Sequence, residues 1–166
     1  MTTEPRIEVR AEQPCVSIPI RVALREWGRA NALVPEVFGW LQHRGIAPGG
    51  PLFYRYRVIG GADEEFHLEV GVPLAEPVAG DGRVVAGRVP GGSYAVLTHH
   101  GHPDRIRESF AVLEEWARRR GIAWAVRDVA GRTVWDGRFE FYLTDPAVQP
   151  DPRRWSTQIA YLLADG

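Results

Sequence analysis

Glu140 and Tyr142, two residues apart in Trp-Asp-Gly-Arg-Phe-Glu-Phe-Tyr-Leu-Thr (135–144), put a carboxylate and a phenol on one face of an extended segment. Arg138 and Thr144 share that face, while Phe139, Phe141 and Leu143 alternate on the other and suit a hydrophobic core. An acid set among aromatics on a sheet is either a polar group satisfied inside the core or the floor of a ligand pocket. In a pocket such a carboxylate has two uses. It can pair a lipophilic cation that also fills the apolar volume, with aromatic faces adding roughly 0.5–2 kcal/mol per contact. Alternatively, with its pKa raised by desolvation, Glu140 can act as general base on a water while Tyr142 or Tyr54 donates to a developing oxyanion. Trp135, Phe66 and Trp40 are candidate wall residues; each also suits a core, and Trp40 fits a helix stripe.

The remaining chemistry-bearing clusters read as structural. His99 and His100 are adjacent on an extended segment and point to opposite faces, so they do not chelate together. With His102 they lack a metal-ligand spacing, and a loop and capping role fits them better; no metal and no cofactor is expected. Arg118-Arg119-Arg120 closes a helix, where cations meet the negative end of the dipole. Cys15 has no cysteine to pair with and no local partner that marks a nucleophile. The glycines of Gly80-Asp-Gly-Arg and Gly91-Gly92 sit in turns, outside any phosphate-loop pattern.

Composition narrows the function further. The 166 residues carry a net charge of −1, so no basic field argues for nucleic acid. Arginine supplies every basic side chain and lysine is absent, which removes Schiff-base chemistry and the phosphate-loop lysine. At 45% hydrophobic residues the chain can build a core without disulfides. The first residues, Met-Thr-Thr-Glu-Pro-Arg, do not read as a signal peptide, and no apolar run reaches the ~20 residues of a membrane span. The expectation is a cytoplasmic protein forming one domain over residues 1–166.

Two groups of elements must position the acid. Short strands are predicted over 6–10 and 14–22, the second marked as an edge by its prolines, then a helix from about Arg29 to His43 with Gly45 as its stop. Leu33, Val37, Trp40 and Leu41 give that helix its apolar stripe. Strands follow over 52–59 and 66–74, with Leu52, Tyr54, Tyr56 and Val58 sharing a face. After a loop over 77–82, strands are predicted over 83–89 and 94–99. A second helix opens at Pro103-Asp104 and ends at Gly121, with Ile106, Phe110, Leu113, Trp116 and Ala117 as its stripe. An extended piece at 123–129 and the final two strands complete the chain.

Strand, helix, strand, strand occurs twice, and the copies match in sequence. Leu41-Gln-His-Arg-Gly-Ile-Ala aligns with Ala117-Arg-Arg-Arg-Gly-Ile-Ala, and Leu52-Phe-Tyr-Arg-Tyr with Arg138-Phe-Glu-Phe-Tyr. A duplicated unit, with halves at about 5–78 and 83–164, predicts an α+β fold of antiparallel strands. Helices would cover the outer face, and a cleft would lie on a pseudo-twofold axis between the halves. Tyr54, Tyr56, Glu140 and Tyr142 would converge there, which favours the pocket reading of Glu140.

The duplication, Gly-Gly-Pro-Leu-Phe-Tyr-Arg-Tyr, and the ending Phe-Glu-Phe-Tyr-Leu-Thr-Asp-Pro, Asp-Pro and Trp-Ser-Thr-Gln-Ile resemble the GyrI-like family over about residues 5–164. This is the effector-binding domain also found at the C-terminus of multidrug-responsive MerR-type and AraC-type activators. The resemblance implies a sheet of two four-stranded halves with an aromatic pocket between them, where Glu140 meets cationic amphipathic ligands. Gln158 stands where family members usually carry glutamate. Residues 1–10 are too few for a helix-turn-helix, so direct nucleic-acid binding is not expected. Stand-alone members imply sequestration of a hydrophobic or cationic small molecule. They also suggest hydrolytic opening of a cyclopropane-type electrophile with Glu140 as base, or a protein partner such as DNA gyrase. An acidic exposed face would favour that last reading, and the sequence shows none.

Overall fold

In the computed structural model, which describes residues 4–164, the two helix stripes pack on one face of one sheet. Residues 1–3, where the stretch tested for a leader begins, and 165–166 lie outside the described residues. The strands are β1 (Arg6–Arg10), β2 (Gln13–Val22), β3 (Phe53–Val58), β4 (Phe66–Pro73), β5 (Val85–Val89), β6 (Gly92–His100), β7 (Val126–Val129), β8 (Arg132–Trp135), β9 (Arg138–Tyr142) and β10 (Ser156–Leu162). The helices are α1 (Gly28–Asn31), α2 (Leu33–His43) and α3 (Ile106–Arg119). The fold is α+β, as expected. Its strands form a single curled antiparallel sheet of eight in the order β1-β6-β10-β9-β3-β4-β2-β5, with β7 and β8 apart as a hairpin.

The middle of the sheet is the seam between β3 and β9. Phe53 pairs with Phe141, Tyr54 with Glu140 and Arg55 with Phe139. Directly paired residues share a face, so Tyr54 and Glu140 project together while the three phenylalanines project oppositely. On the Tyr54–Glu140 face, Leu33, Val37 and Leu41 of α2 pack with Leu68, Val70 and Val72. Leu113 of α3 packs with Leu97, Ile159 and Tyr161 on the same face, with Ile106, Phe110 and Trp116 against them. Each fully buried leucine or valine is worth about 1.5–3 kcal/mol over its exposed state. The other face closes over its own core of Phe53, Phe139, Phe141, Tyr94 and Cys15.

Both long helices stop in the same way. Gly45 and Gly121 adopt φ of 67° and 65°, and the Ile46 and Ile122 amides each bond back 3.0 Å to the carbonyls of Leu41 and Ala117. Only glycine takes that left-handed backbone without strain, which explains the repeated Arg-Gly-Ile-Ala. Pro35 sits in the first turn of α2, where its missing N–H costs nothing.

Four local expectations are corrected. Leu143 is 48% exposed, because β9 ends at Tyr142 and the chain turns away before the core continues. The strand β2 is an edge only in part: residues Gln13–Ser17 pair with β5, and only beyond them does Pro19 reach a free side. The register of β3 slips between Tyr56 and Val58, so Val58 pairs with His67 and leaves the Tyr54 face. Trp135 ends a hairpin strand rather than starting β9, and the β7–β8 turn is made by Ala130 and Gly131, both at positive φ. Among the described residues no helix is long and apolar enough to cross a membrane.

Candidate functional site

A cavity of about 550 Å³ lies over the seam on the helix-bearing face. Its floor is Arg138, Glu140 and Tyr142 from β9 with Tyr56 from β3. Opposite walls come from the segments that lead into the helices: Leu24 and Trp27 before α1, and Pro103, Ile106, Arg107 and Phe110 at the start of α3. The β3–β4 turn, with Ile59 and Gly60, and Phe66 at the start of β4 complete the rim.

Local chemistry explains how these segments reach the cavity. His102 accepts the Asp104 amide at 3.0 Å, which caps a 3-10 turn over Pro103–Arg105 and starts α3 beside the floor. His99 is fully buried between Ser109 (2.7 Å) and the His102 carbonyl (3.1 Å), fixing α3 to β6. Trp27 stands at the junction of a 3-10 turn and α1 and packs edge-on to Phe66 at 5.4 Å. It also stacks on Tyr56 at 6.3 Å and 21°. Trp27, Tyr56 and Phe66 thus form one continuous aromatic wall.

Glu140 is 6% exposed, and its Oε1 accepts the Tyr142 hydroxyl at 2.5 Å. Burial pushes its carboxyl above the ordinary carboxylate range; hydrogen bonding from Tyr142 and Tyr56 and the charge of Arg138 pull the other way. The same burial, reinforced by the nearby acid, pushes the Tyr56 and Tyr142 phenols well above their ordinary value. The floor therefore holds a carboxyl group of raised proton affinity and phenols that stay protonated at neutral pH.

Of the residues expected at the site, Glu140, Tyr142, Tyr56 and Phe66 line the cavity. Tyr54 lies beneath it, its ring 5.2 Å from Tyr142 and its hydroxyl donating to Asn31 Oδ1 at 2.6 Å. Burial raises its phenol to about 12. Trp135 is set behind Arg138, 5.5 Å from Tyr161, and faces a separate recess of about 250 Å³. Trp40 packs along the edge of the α2 core under the Arg44 guanidinium, 4.4 Å from its ring. Gln158 sits opposite Phe141, on the far face of the sheet, where its Oε1 accepts Arg10 at 2.6 Å. The exchange of glutamate for glutamine there does not touch the cavity. Missed from sequence were Trp27, Phe110, Ile106 and Arg107. An aromatic just before a helix start, and the first turn of the apolar stripe of α3, were the available signals.

The sequence matches the GyrI-like small molecule binding domain over residues 3–160. No curated protein matches it. Among solved structures, the C-terminal domain of EcmrR has a TM-score of 0.78 at 14% identity, covering 98% of this chain and 98% of that one. EcmrR in its DNA complex gives 0.80 at 14% identity over 98% of this chain, which spans 58% of that longer protein. SAV2435 bound to tetraphenylphosphonium gives 0.58 at 13% identity, covering 98% and 94%. A hydrolase from Listeria innocua gives 0.62 at 12% identity, covering 97% and 92%. At such identities these likenesses concern the fold. With the sequence match running over nearly its whole length, the chain belongs to the GyrI-like small molecule binding domain family.

Proposed function

We propose that this protein binds a hydrophobic small molecule, a drug or toxin, in the cavity over the seam. Glu140 and Tyr142 form the polar floor of that site, and Trp27, Tyr56 and Phe66 form its wall. The observation that carries this reading is a buried, phenol-bonded carboxyl at the bottom of a cavity of about 550 Å³ walled by aromatics. Glu140 accepts a hydrogen bond from the ligand or pairs with a cationic group on it. The tetraphenylphosphonium bound by SAV2435 supports a bulky aromatic ligand. The halves, about 5–78 and 83–164, are read as copies of one unit about a pseudo-twofold axis; the matching glycine caps support this.

Titration with 4-(1-pyrenyl)butanol, followed by energy transfer from tryptophan to pyrene and by calorimetry, tests the site. Saturable one-to-one binding, displaced by tetraphenylphosphonium, is expected. Absence of saturable binding by either compound up to its solubility limit would remove the reading.

One observation favours a second reading, hydrolysis of a strained electrophile. A carboxyl of raised proton affinity beside protonated phenols is suited to general-base attack by water on the strained ring carbon, with the phenols stabilising the oxyanion that develops as the ring bond breaks. A mass-spectrometric time course with a cyclopropane-bearing DNA alkylator and substoichiometric protein decides it. Many water adducts per protein molecule, lost in Glu140→Gln, would make the site catalytic; unchanged compound would leave it a binding site.

A further inference from the structure

Two arginines in the sheet are largely buried, and they are held in opposite ways. The Arg55 guanidinium donates to the Arg88 carbonyl at 3.0 Å and the Asp136 carbonyl at 2.5 Å, and lies 3.7 Å from Glu69. Its hydrogen bonds tie strands together on the far face of the sheet. The side chain of Arg138 is only 14% exposed, yet its nearest acid, Glu114, is 3.9 Å away and itself 53% exposed. Among the described residues the Arg138 guanidinium makes no side-chain hydrogen bond. Rings hold it instead: its centre lies 4.5 Å from Tyr161, 4.6 Å from Trp135 and 5.8 Å from Phe110. A guanidinium carries five N–H donors in a planar fork. No Arg138 nitrogen is sealed from solvent, unlike Arg55 Nε, which is buried without a partner among the described residues, so the Arg138 fork keeps its donors open to the cavity. Here the aromatic packing fixes it in one position while it lines the cavity.

One neighbour of Arg138 is a further donor. The Tyr161 hydroxyl, on another residue lining the cavity, is buried without a hydrogen-bond partner among the described residues. Arg107 stands exposed at the mouth, so the charged residues lining the cavity are two arginines and Glu140. A bare lipophilic cation would satisfy Glu140. It would also sit beside Arg138 and leave the fork unmet.

We infer that Arg138 is a second polar anchor of the site, and that the ligand is an aromatic amphiphile presenting an acceptor oxygen, a carboxylate foremost, to its guanidinium. A carboxylate takes two parallel N–H bonds from the fork, a match of geometry as well as charge. Arg138 and Glu140 are alternate residues of one strand, so a ligand that carries both an acceptor and a donor meets both at once. The inference rests on the cavity being a ligand site.

Three pyrene probes of one ring system separate the possibilities: 4-(1-pyrenyl)butyrate, 4-(1-pyrenyl)butylamine and neutral 4-(1-pyrenyl)butanol. In the native protein the butyrate is expected to bind at least about tenfold tighter than the amine, the equivalent of roughly 1.4 kcal/mol. Arg138→Met keeps an unbranched side chain against the rings and is expected to abolish or reverse that preference, with the butanol, whose hydroxyl takes a single uncharged bond, losing much less than the butyrate. Arg138→Lys keeps the charge without the fork and is expected to retain part of it. An amine that binds as well as or better than the butyrate in the native protein overturns the inference and leaves the cavity reading standing. A ratio unmoved in Arg138→Met also overturns it, making Arg138 a packing residue. Should Arg138→Met fail to fold, the native ratio and the Lys variant decide. Binding of none of the three probes removes the cavity reading, and this inference with it.

Discussion

Tyr54 and Glu140 stand directly opposite each other across the β3–β9 seam, yet each is bonded elsewhere. The Tyr54 hydroxyl reaches back to Asn31 in α1 at 2.6 Å, while Glu140 is held by Tyr142, two residues along its own strand, at 2.5 Å. The pair therefore splits two duties. Tyr54 fastens the first helix to the sheet, and Tyr142 presents the carboxyl to the cavity.

Tyr54→Phe should accordingly weaken the fold and spare the site. Loss of the bond to Asn31 is expected to cost about 1 kcal/mol in urea unfolding, more if the Asn31 amide finds no water. The affinity for pyrenylbutanol should stay within about twofold, because the phenol lies below the floor.

Glu140 makes stability depend on pH in a defined direction. Its folded-state proton affinity is raised by burial, so its contribution is fully present below the unfolded carboxylate range, near pH 4, and is lost as pH rises through the folded value. Glu140→Gln removes the titration. The melting temperature of the native protein relative to that variant should fall from acid toward neutral pH and then level off. A difference that is flat with pH, or that grows upward, would contradict the buried, desolvated carboxyl.

Trp27 is the tryptophan that lines the cavity; Trp40, Trp116, Trp124, Trp135 and Trp155 do not. Contact quenching, by a bound ligand that takes up no energy at long range as pyrene does, should therefore arise largely from Trp27. In Trp27→Phe most of the quench is expected to vanish while calorimetry still detects binding, weakened by about 1 kcal/mol or less through the smaller ring face.

Cys15 is buried beside the Phe53–Phe139 core, and desolvation lifts its thiol to about 11. At pH 8 the native protein should react with a thiol reagent far more slowly than the urea-unfolded chain, by a factor set by opening of the sheet. Native labelling as fast as unfolded labelling would place Cys15 at the surface.

The sequence carried the frame of this molecule because its strongest signals are local and repeated. The two Arg-Gly-Ile-Ala stops demand a left-handed residue, and the alternation around Tyr54 and Glu140 defines a face. Both are properties of a few consecutive residues. What escaped depends on partners distant in the chain. The β7–β8 turn uses Ala130 at φ 52°, a poor residue for such a bend, so no local signal announced it. Val58 changes face through a bulge that only its pairing with His67 reveals. Trp27 joins the wall because the chain ahead of α1 folds back over Tyr56 and Phe66, and spacing along the sequence cannot report that. Trp40 and Trp135 show the converse: large aromatics near the right elements spend their faces on Arg44 and Arg138 instead.

The two outermost strands are exchanged between the halves: β1 lies against β6, and β5 lies against β2. Neither half keeps its own first strand. A polypeptide ending near residue 80 would hold β1 with no ladder to join and leave β2 with one flank bare, and the remaining fragment would suffer the mirror-image fault. Each piece lacks what the other carries, so the molecule is laced rather than stacked. The two crossed pairings act as an internal clasp on either side of the floor on which Glu140 sits.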